Sequence, residues 1–155
     1  MRIFNKRAKF DYTLEEDRLE TGISLSGGEA KAVRTGHADL SQSTGRIINN
    51  EVWLINANIP IAGAKDYNST RSRKLLLHKS EILSIATKMK QHKLTLVPLS
   101  LYNKRGLRPD GHKGRYLIKL KLALGKPKRK FEKRQAIKKR DIEREIAQEL
   151  RGKSY

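Results

Sequence analysis

The chain contains no cysteine, which excludes both a disulfide framework and a thiolate metal site. It has no apolar run near the roughly 20 residues that a membrane-crossing helix needs. Its first residues, Met1-Arg2-Ile3-Phe4-Asn5-Lys6-Arg7, lack the apolar centre of a secretory signal. These absences predict a soluble, cytoplasmic protein without membrane partners. Aromatic residues are scarce, at 6%, which argues against a surface that stacks successive bases of a single strand. Acids are also few: 16 Asp and Glu stand against 35 Lys and Arg, a net charge of +19. Such a balance predicts attraction to phosphate polymers or anionic membranes, and says little about fold.

Catalytic constellations are missing as well. Glu15 and Glu16 are adjacent, so in a strand they face opposite ways and cannot work as an acid/base pair. His37, His78, His92 and His112 have no spacing that gathers two on one helix face. Gly27-Gly28 belongs to no phosphate-loop or dinucleotide pattern, and no serine sits in G-x-S-x-G. The sequence therefore predicts no enzyme, no cofactor and no metal.

At 155 residues the chain suggests one domain with appendages. Residues 2–10 read as a basic arm with Arg2, Lys6, Arg7 and Lys9. An extended run from Tyr12 through Leu14 bends near the acids and resumes over Leu19–Leu25. Glu29–Arg34 reads as a short helix with Ala30 and Val33 on one face, ended by Gly36. Asn49-Asn50 between two apolar runs signals a hairpin, because Asn tolerates positive φ. The stretch from Pro60 to Arg73 is rich in Gly, Ser, Thr and Asn and reads as a long connection. Ile82, Ile85, Ala86 and Met89 form the stripe of a helix over about Ser80–Gln91, with Ser80 as its cap. Leu94–Leu101 is a strand interrupted by Pro98, at an edge or a bulge. Glycines 106, 111 and 114 with Pro109 make Asn103–Gly114 read as a loop. In Arg115–Leu124, Ile118, Leu120, Leu122 and Leu124 alternate with polar positions that include Lys119 and Lys121, a clear strand. Strands without βαβ alternation predict a small antiparallel barrel with added helices.

The last 31 residues are the most charged. Gly125–Tyr155 holds twelve basic and five acidic residues, which leaves +12 on residues 1–124. Its first half has almost no aliphatic residues and cannot bury enough surface to fold alone. Its second half carries Ile142, Ile146, Ala147 and Leu150 at helical spacing. This tail reads as disordered when free and helical against a polyanion. Further cations cluster at Arg71, Arg73 and Lys74, and at Lys104, Arg105 and Arg108. Together with the arm and the tail they favour nucleic-acid binding. Few aromatics, at Tyr12, Tyr67, Tyr102, Tyr116 and Phe131, fit recognition of a folded RNA by backbone and shape.

Four segments add a resemblance. D-Y-T-L-E-E-D-R-L-E-T-G-I-S-L at Asp11–Leu25 runs into G-G-E-A-K-A-V-R-T-G-H-A-D-L-S at Gly27–Ser41. T-R-S-R-K-L-L-L-H-K-S-E-I follows at Thr70–Ile82, then L-T-L-V-P-L-S-L-Y at Leu94–Tyr102. The tail supplies L-A-L-G-K-P-K at Leu122–Lys128 and E-K-R-Q-A-I-K-K-R-D at Glu132–Asp141. In this order, and over most of the chain, they resemble small protein B, the SsrA-binding (tmRNA-binding) family of bacterial trans-translation.

That resemblance implies an oligonucleotide-binding (OB) type β-barrel over 11–124, after an arm at 1–10 and before a flexible tail at 125–155. It implies a monomer that binds the tRNA-like domain of tmRNA. With alanyl-tmRNA and elongation factor Tu, it would enter a stalled ribosome. The tail would then fold as a helix in the vacant mRNA channel at the small-subunit decoding centre. Carried over by position, the tmRNA contacts are Glu29, Lys31, Arg34, Arg71, Arg73 and Lys74. The tail contacts are Phe131, Glu132, Lys133, Arg134, Ile137, Lys138, Lys139 and Arg140. The chain departs from the family pattern at Asp39, Thr44, Phe131, Glu132 and Ile142, and its 106–113 loop is longer than usual.

Overall fold

The computed structural model describes residues 1–63, 66–107 and 113–152. The expected mainly-β, antiparallel architecture is borne out: the described residues form seven strands and four helices. In chain order they are β1 (Arg2–Phe4), α1 (Ala8–Asp11), β2 (Tyr12–Ile23), α2 (Gly27–Thr35), β3 (Thr44–Ile48) and β4 (Glu51–Ile55). β5 (Arg73–Leu76), α3 (Lys79–His92), β6 (Thr95–Leu107), β7 (Lys113–Pro127) and α4 (Lys130–Gly152) complete the chain. The sheet order is β1-β6-β3-β4-β5-β2-β7, and a further β6–β7 pairing closes six of the strands on themselves. Among the described residues closure leaves β1 as the one outer strand, laid against β6 through Arg2↔Tyr102 to Phe4↔Ser100. Much of the stretch read as an arm is therefore hydrogen-bonded into the sheet.

Alternation within strands fills the interior. Val52 and Leu54 from β4, Leu75 from β5, Leu96 and Leu101 from β6, and Leu120 and Leu122 from β7 meet in one core. Leu40 and Ile59 join it from connections, and Ile82 and Ile85 from α3. Gly45 is where β3 meets β6, opposite Leu96. A Cβ there would lie 2.7 Å from the Leu96 Cβ, so only glycine lets the two strands approach.

Local signals translate well. Asn49 and Asn50 both take positive φ and turn β3 into β4. Gly36 ends α2 in the left-handed region at φ 88°. Strand β2 shifts register between Leu14 and Arg18, where the acids predicted a bend. β6 shifts between Pro98 and Ser100, a bulge at Leu99 directly after the proline.

Two expectations are corrected. Helix α3 starts at Lys79 with His78 at its N-cap, not Ser80. The Glu81 carboxylate accepts the His78 N–H at 2.8 Å, and this bond sets the start. Asn103–Leu107 and Lys113–Gly114 are strand rather than loop, because Asn103↔Ile118, Lys104↔Leu117 and Arg105↔Tyr116 extend the β6–β7 ladder. Gly106 falls at a register shift within this ribbon. Arg108, Pro109, Gly111 and His112 lie outside the described residues.

Candidate nucleic-acid interface

The sequence S-x-x-E before a helix is a capping box, and Ser26 and Glu29 form one at the start of α2. The Glu29 carboxylate accepts the Ser26 N–H at 2.7 Å, and the Ser26 hydroxyl accepts the Glu29 N–H at 3.4 Å. The same carboxylate reaches much further. Arg71 donates to it through Nε (2.8 Å) and Nη2 (2.6 Å), Arg73 through Nε (2.8 Å), and Tyr67 through its hydroxyl. Glu29 and Arg73 are both 0% exposed. Arg73 spends its remaining donors on the carbonyls of Ala57, Ser69 and Arg71 and on the Tyr67 oxygen. A buried ion pair persists only when such hydrogen bonds satisfy it.

Burial alone would raise the Glu29 carboxyl. The Arg71, Tyr67, Ser26 and Arg73 donors outweigh that and bring it to about 2. The same partnership raises Arg71 above its ordinary value, chiefly through its hydrogen bond to Glu29.

Two of the residues expected on RNA sit inside this network. Glu29 and Arg73 do not face solvent; they anchor the 57–73 connection to α2 and β5. Ile61 packs over the start of α2, where a Cβ on Gly28 would lie 2.9 Å from its side chain. The described residues of the stretch read as a long connection are thus tied to α2 and β5. Lys31 and Arg34 project from α2 into solvent. Arg71 is 40% exposed, and its Nη1 makes only a 3.4 Å bond to the Ser72 carbonyl. Lys74, half-buried on β5, pairs with Glu51. Of the six residues expected on RNA, Lys31 and Arg34 are exposed, Arg71 and Lys74 partly exposed, and Glu29 and Arg73 buried. Tyr67 was not singled out as part of this site, and sequence carries no signal for its partners.

The tail leaves from another point. β7 runs to Pro127, with Gly125↔Leu14 and Pro127↔Tyr12 pairing to β2, so the body extends past residue 124. Lys128 then donates to the Asp11 and Lys9 carbonyls at 2.9 Å. Lys133 binds the Asp11 carboxylate at 2.7 Å, and Arg7 closes on the same group at 3.2 Å. The Lys133 hydrogen bond is the main reason the Asp11 carboxyl lies below its usual range. Glu132 accepts the Arg129 N–H at 3.3 Å and so helps start α4. Beyond this root the described side chains of α4 have no apolar cover: Phe131 is 68% exposed, and Ile137, Ile142 and Ile146 are exposed too. Arg134, Lys138, Lys139 and Arg140 are all solvent-facing. Asp39, a departure from the family pattern, closes a local turn by accepting from the Ser41 N–H (2.9 Å) and hydroxyl (2.7 Å).

Among the described residues no three His, Cys, Asp or Glu side chains gather around a common point. No helix of the structure is long and apolar enough to cross a membrane.

Comparison with known proteins follows the same lines. A family model described as SmpB protein matches residues 2–152. An SsrA-binding protein of Caldicellulosiruptor saccharolyticus is 44% identical, over 95% of this chain and 88% of its own length. Another, from Sulfurihydrogenibium sp., is 42% identical over 96% of this chain and 93% of its own. A solved chain from work entitled "tmRNA-SmpB: a journey to the center of the bacterial ribosome" superposes with a TM-score of 0.62. It is 33% identical and covers 88% of this chain and 94% of the other. The motifs, the closed antiparallel sheet and these matches agree: the chain belongs to the SmpB family.

Proposed function

We propose that this protein binds the tRNA-like domain of tmRNA and escorts it to stalled ribosomes in trans-translation. It acts in the cytoplasm as a monomeric RNA-binding protein, with no reaction of its own. One observation carries the reading: Lys31 and Arg34 are exposed on α2, which the buried Glu29–Arg73 pair ties to β5, while Arg71 on that pair and Lys74 on β5 keep part of their side chains open to solvent. Exposed cations carried on helix and strand suit RNA recognised by its backbone and shape. SsrA-binding relatives and the ribosomal tmRNA complex supply the identity of the RNA.

α4 supplies the second contact. Its apolar stripe lacks a partner in the body, and a helix without packing is marginal in water. The reading is that 131–150 is mobile when free and becomes stably helical inside the empty mRNA channel. There Phe131, Glu132, Lys133, Arg134, Ile137, Lys138, Lys139 and Arg140 face the ribosome near the decoding centre. Alanyl-tmRNA with elongation factor Tu is the assembly in which the protein arrives.

The binding half is tested by titrating the protein against the tRNA-like domain at several salt concentrations. If about six phosphates are engaged, log K falls against log salt with a slope of about −4 to −5. A flat profile would contradict recognition through the backbone.

A further inference from the structure

Helix α4 is tied to the body at α1. Tyr12, the first residue of β2, pairs with Pro127, the last of β7, so α1 and α4 meet at the same end of the sheet. The Lys128 N–H donates to the Asp11 carbonyl and the Lys128 ammonium to the Lys9 carbonyl, each at 2.9 Å. Farther along, Lys133 donates to Asp11 Oδ1 at 2.7 Å. Arg7 faces the other carboxylate oxygen, Oδ2, at 3.2 Å. Among the described residues the Lys133–Asp11 bond is the one ion pair that joins α4 to the body.

Lys133 lies in the first turn of α4, and its own N–H donates to the Arg129 carbonyl at 3.1 Å. The Glu132 carboxylate accepts the Arg129 N–H at 3.3 Å and braces the same turn. Asp11 therefore holds a turn that is already closed, and closing the first turn is the costly step in starting a helix. The pair is sheltered: the Asp11 side chain is 17% exposed and that of Lys133 34%, whereas Arg134, Lys138, Lys139 and Arg140 face solvent. Phe131, Ile137, Ile142 and Ile146 stay exposed, so the joint at 128–133 fixes where the helix points. The 23 residues of α4 reach about 34 Å at roughly 1.5 Å each. A tilt of about 20° at the joint moves the far end of such a rod by roughly 12 Å.

We propose that Asp11 is a positioning residue for the tail: it holds Lys133 and so sets the direction in which α4 leaves the body. Arg7, on the same carboxylate, keeps it charged and turned toward the joint. The inference rests on the reading above that α4 works in the mRNA channel while the body holds the tRNA-like domain. Two contacts joined by one link reinforce each other only when the geometry of the link lets both form. Asp11 belongs to neither set of RNA contacts named above and acts through Lys133.

The chain has no cysteine, so nitroxides attached at Ser84→Cys on α3 and Gln135→Cys on α4 report on the joint. In the full chain, electron-spin distance measurement is expected to give one narrow peak. Asp11→Asn and Lys133→Gln are each expected to lose that peak, and Asp11→Glu to keep it. Peptide tagging on stalled ribosomes is expected to fall at least about fivefold with Asp11→Asn and to return with Asp11→Glu. The melting temperature of Asp11→Asn should move by no more than about 2 °C, as for a partly exposed pair. Its affinity for the tRNA-like domain should match wild type. A narrow peak that survives both Asp11→Asn and Lys133→Gln would overturn the proposal, as would tagging unchanged or raised by Asp11→Asn. Lys133→Gln alters no residue of the body, so the distance result does not depend on Asp11→Asn folding. Deleting 130–155 separates the two readings. Tagging that survives the deletion contradicts the role of the tail in the channel. Tagging lost on deletion but kept in Asp11→Asn contradicts only the role of Asp11.

Discussion

Glu29→Ala is expected to lower the melting temperature by about 10 to 20 °C and to abolish RNA binding at temperatures where wild type is fully active. The substitution leaves the Arg73 guanidinium buried without its carboxylate, and breaking such a pair costs about 3–5 kcal/mol. That is a large share of the roughly 5–15 kcal/mol that holds a domain together, and it accounts for a shift of this size. Lys31→Gln/Arg34→Gln is the informative contrast. Both side chains are solvent-facing, so the melting temperature should move by no more than a degree or two while RNA affinity falls about tenfold or more. If Glu29→Ala melted like wild type and lost only RNA affinity, its carboxylate would be touching RNA and not the anchor.

The same carboxylate sets a pH dependence. Its folded value, about 2, lies below the ordinary 4.5, so the folded protein holds the proton less readily than the unfolded chain. Its contribution is complete above the ordinary value and is lost as pH falls through about 2. The difference corresponds to on the order of 3 kcal/mol. Stability measured by denaturant titration should decline between about pH 4.5 and 2 in wild type. Glu29→Gln should show a shallower decline across the same window.

Deleting residues 130–155 is expected to leave the body folded, and its affinity for the tRNA-like domain within about threefold of wild type. Peptide tagging on stalled ribosomes should fall to background. The cut belongs there and not at 125, because Gly125 is buried and Gly125–Pro127 pair with β2. Removing them would tear a core strand and confuse loss of fold with loss of function. The deletion frees Asp11 from Lys133, but Arg7 stays within 3.2 Å of it. A loss of RNA affinity beyond about tenfold in the truncated, folded body would mean that α4 binds the same RNA as the body.

The parts of this fold that could be read in advance rest on local chemistry. The alternation in β7, the stripe of α3, the positive-φ Asn49-Asn50 turn and the Pro98 bulge each need only a few neighbouring residues. The site was legible as a set of charges and not as an arrangement. Arg71 and Arg73 stand 42 and 44 residues from Glu29 in sequence, and no periodicity connects them. That distance hid the anchor in which the Glu29 carboxylate is buried. The Ser26-x-x-Glu29 capping box was the one readable sign that Glu29 turns back toward its own helix. The β6–β7 ribbon was missed because Gly106 and Gly114 weigh as breakers locally, whereas the cross-strand ladder decides the outcome.

The measurement that bears most directly on the central claim is to identify the RNA captured with the tagged protein from bacterial cells after mild crosslinking, with contact residues mapped on the protein. Expected is tmRNA, strongly enriched over ribosomal RNA, joined to α2 and the 66–74 segment around Lys31, Arg34, Arg71 and Lys74. Capture in constant proportion with whole ribosomes, with no tmRNA and no crosslinks on that surface, would contradict it and indicate a resident rRNA-binding protein.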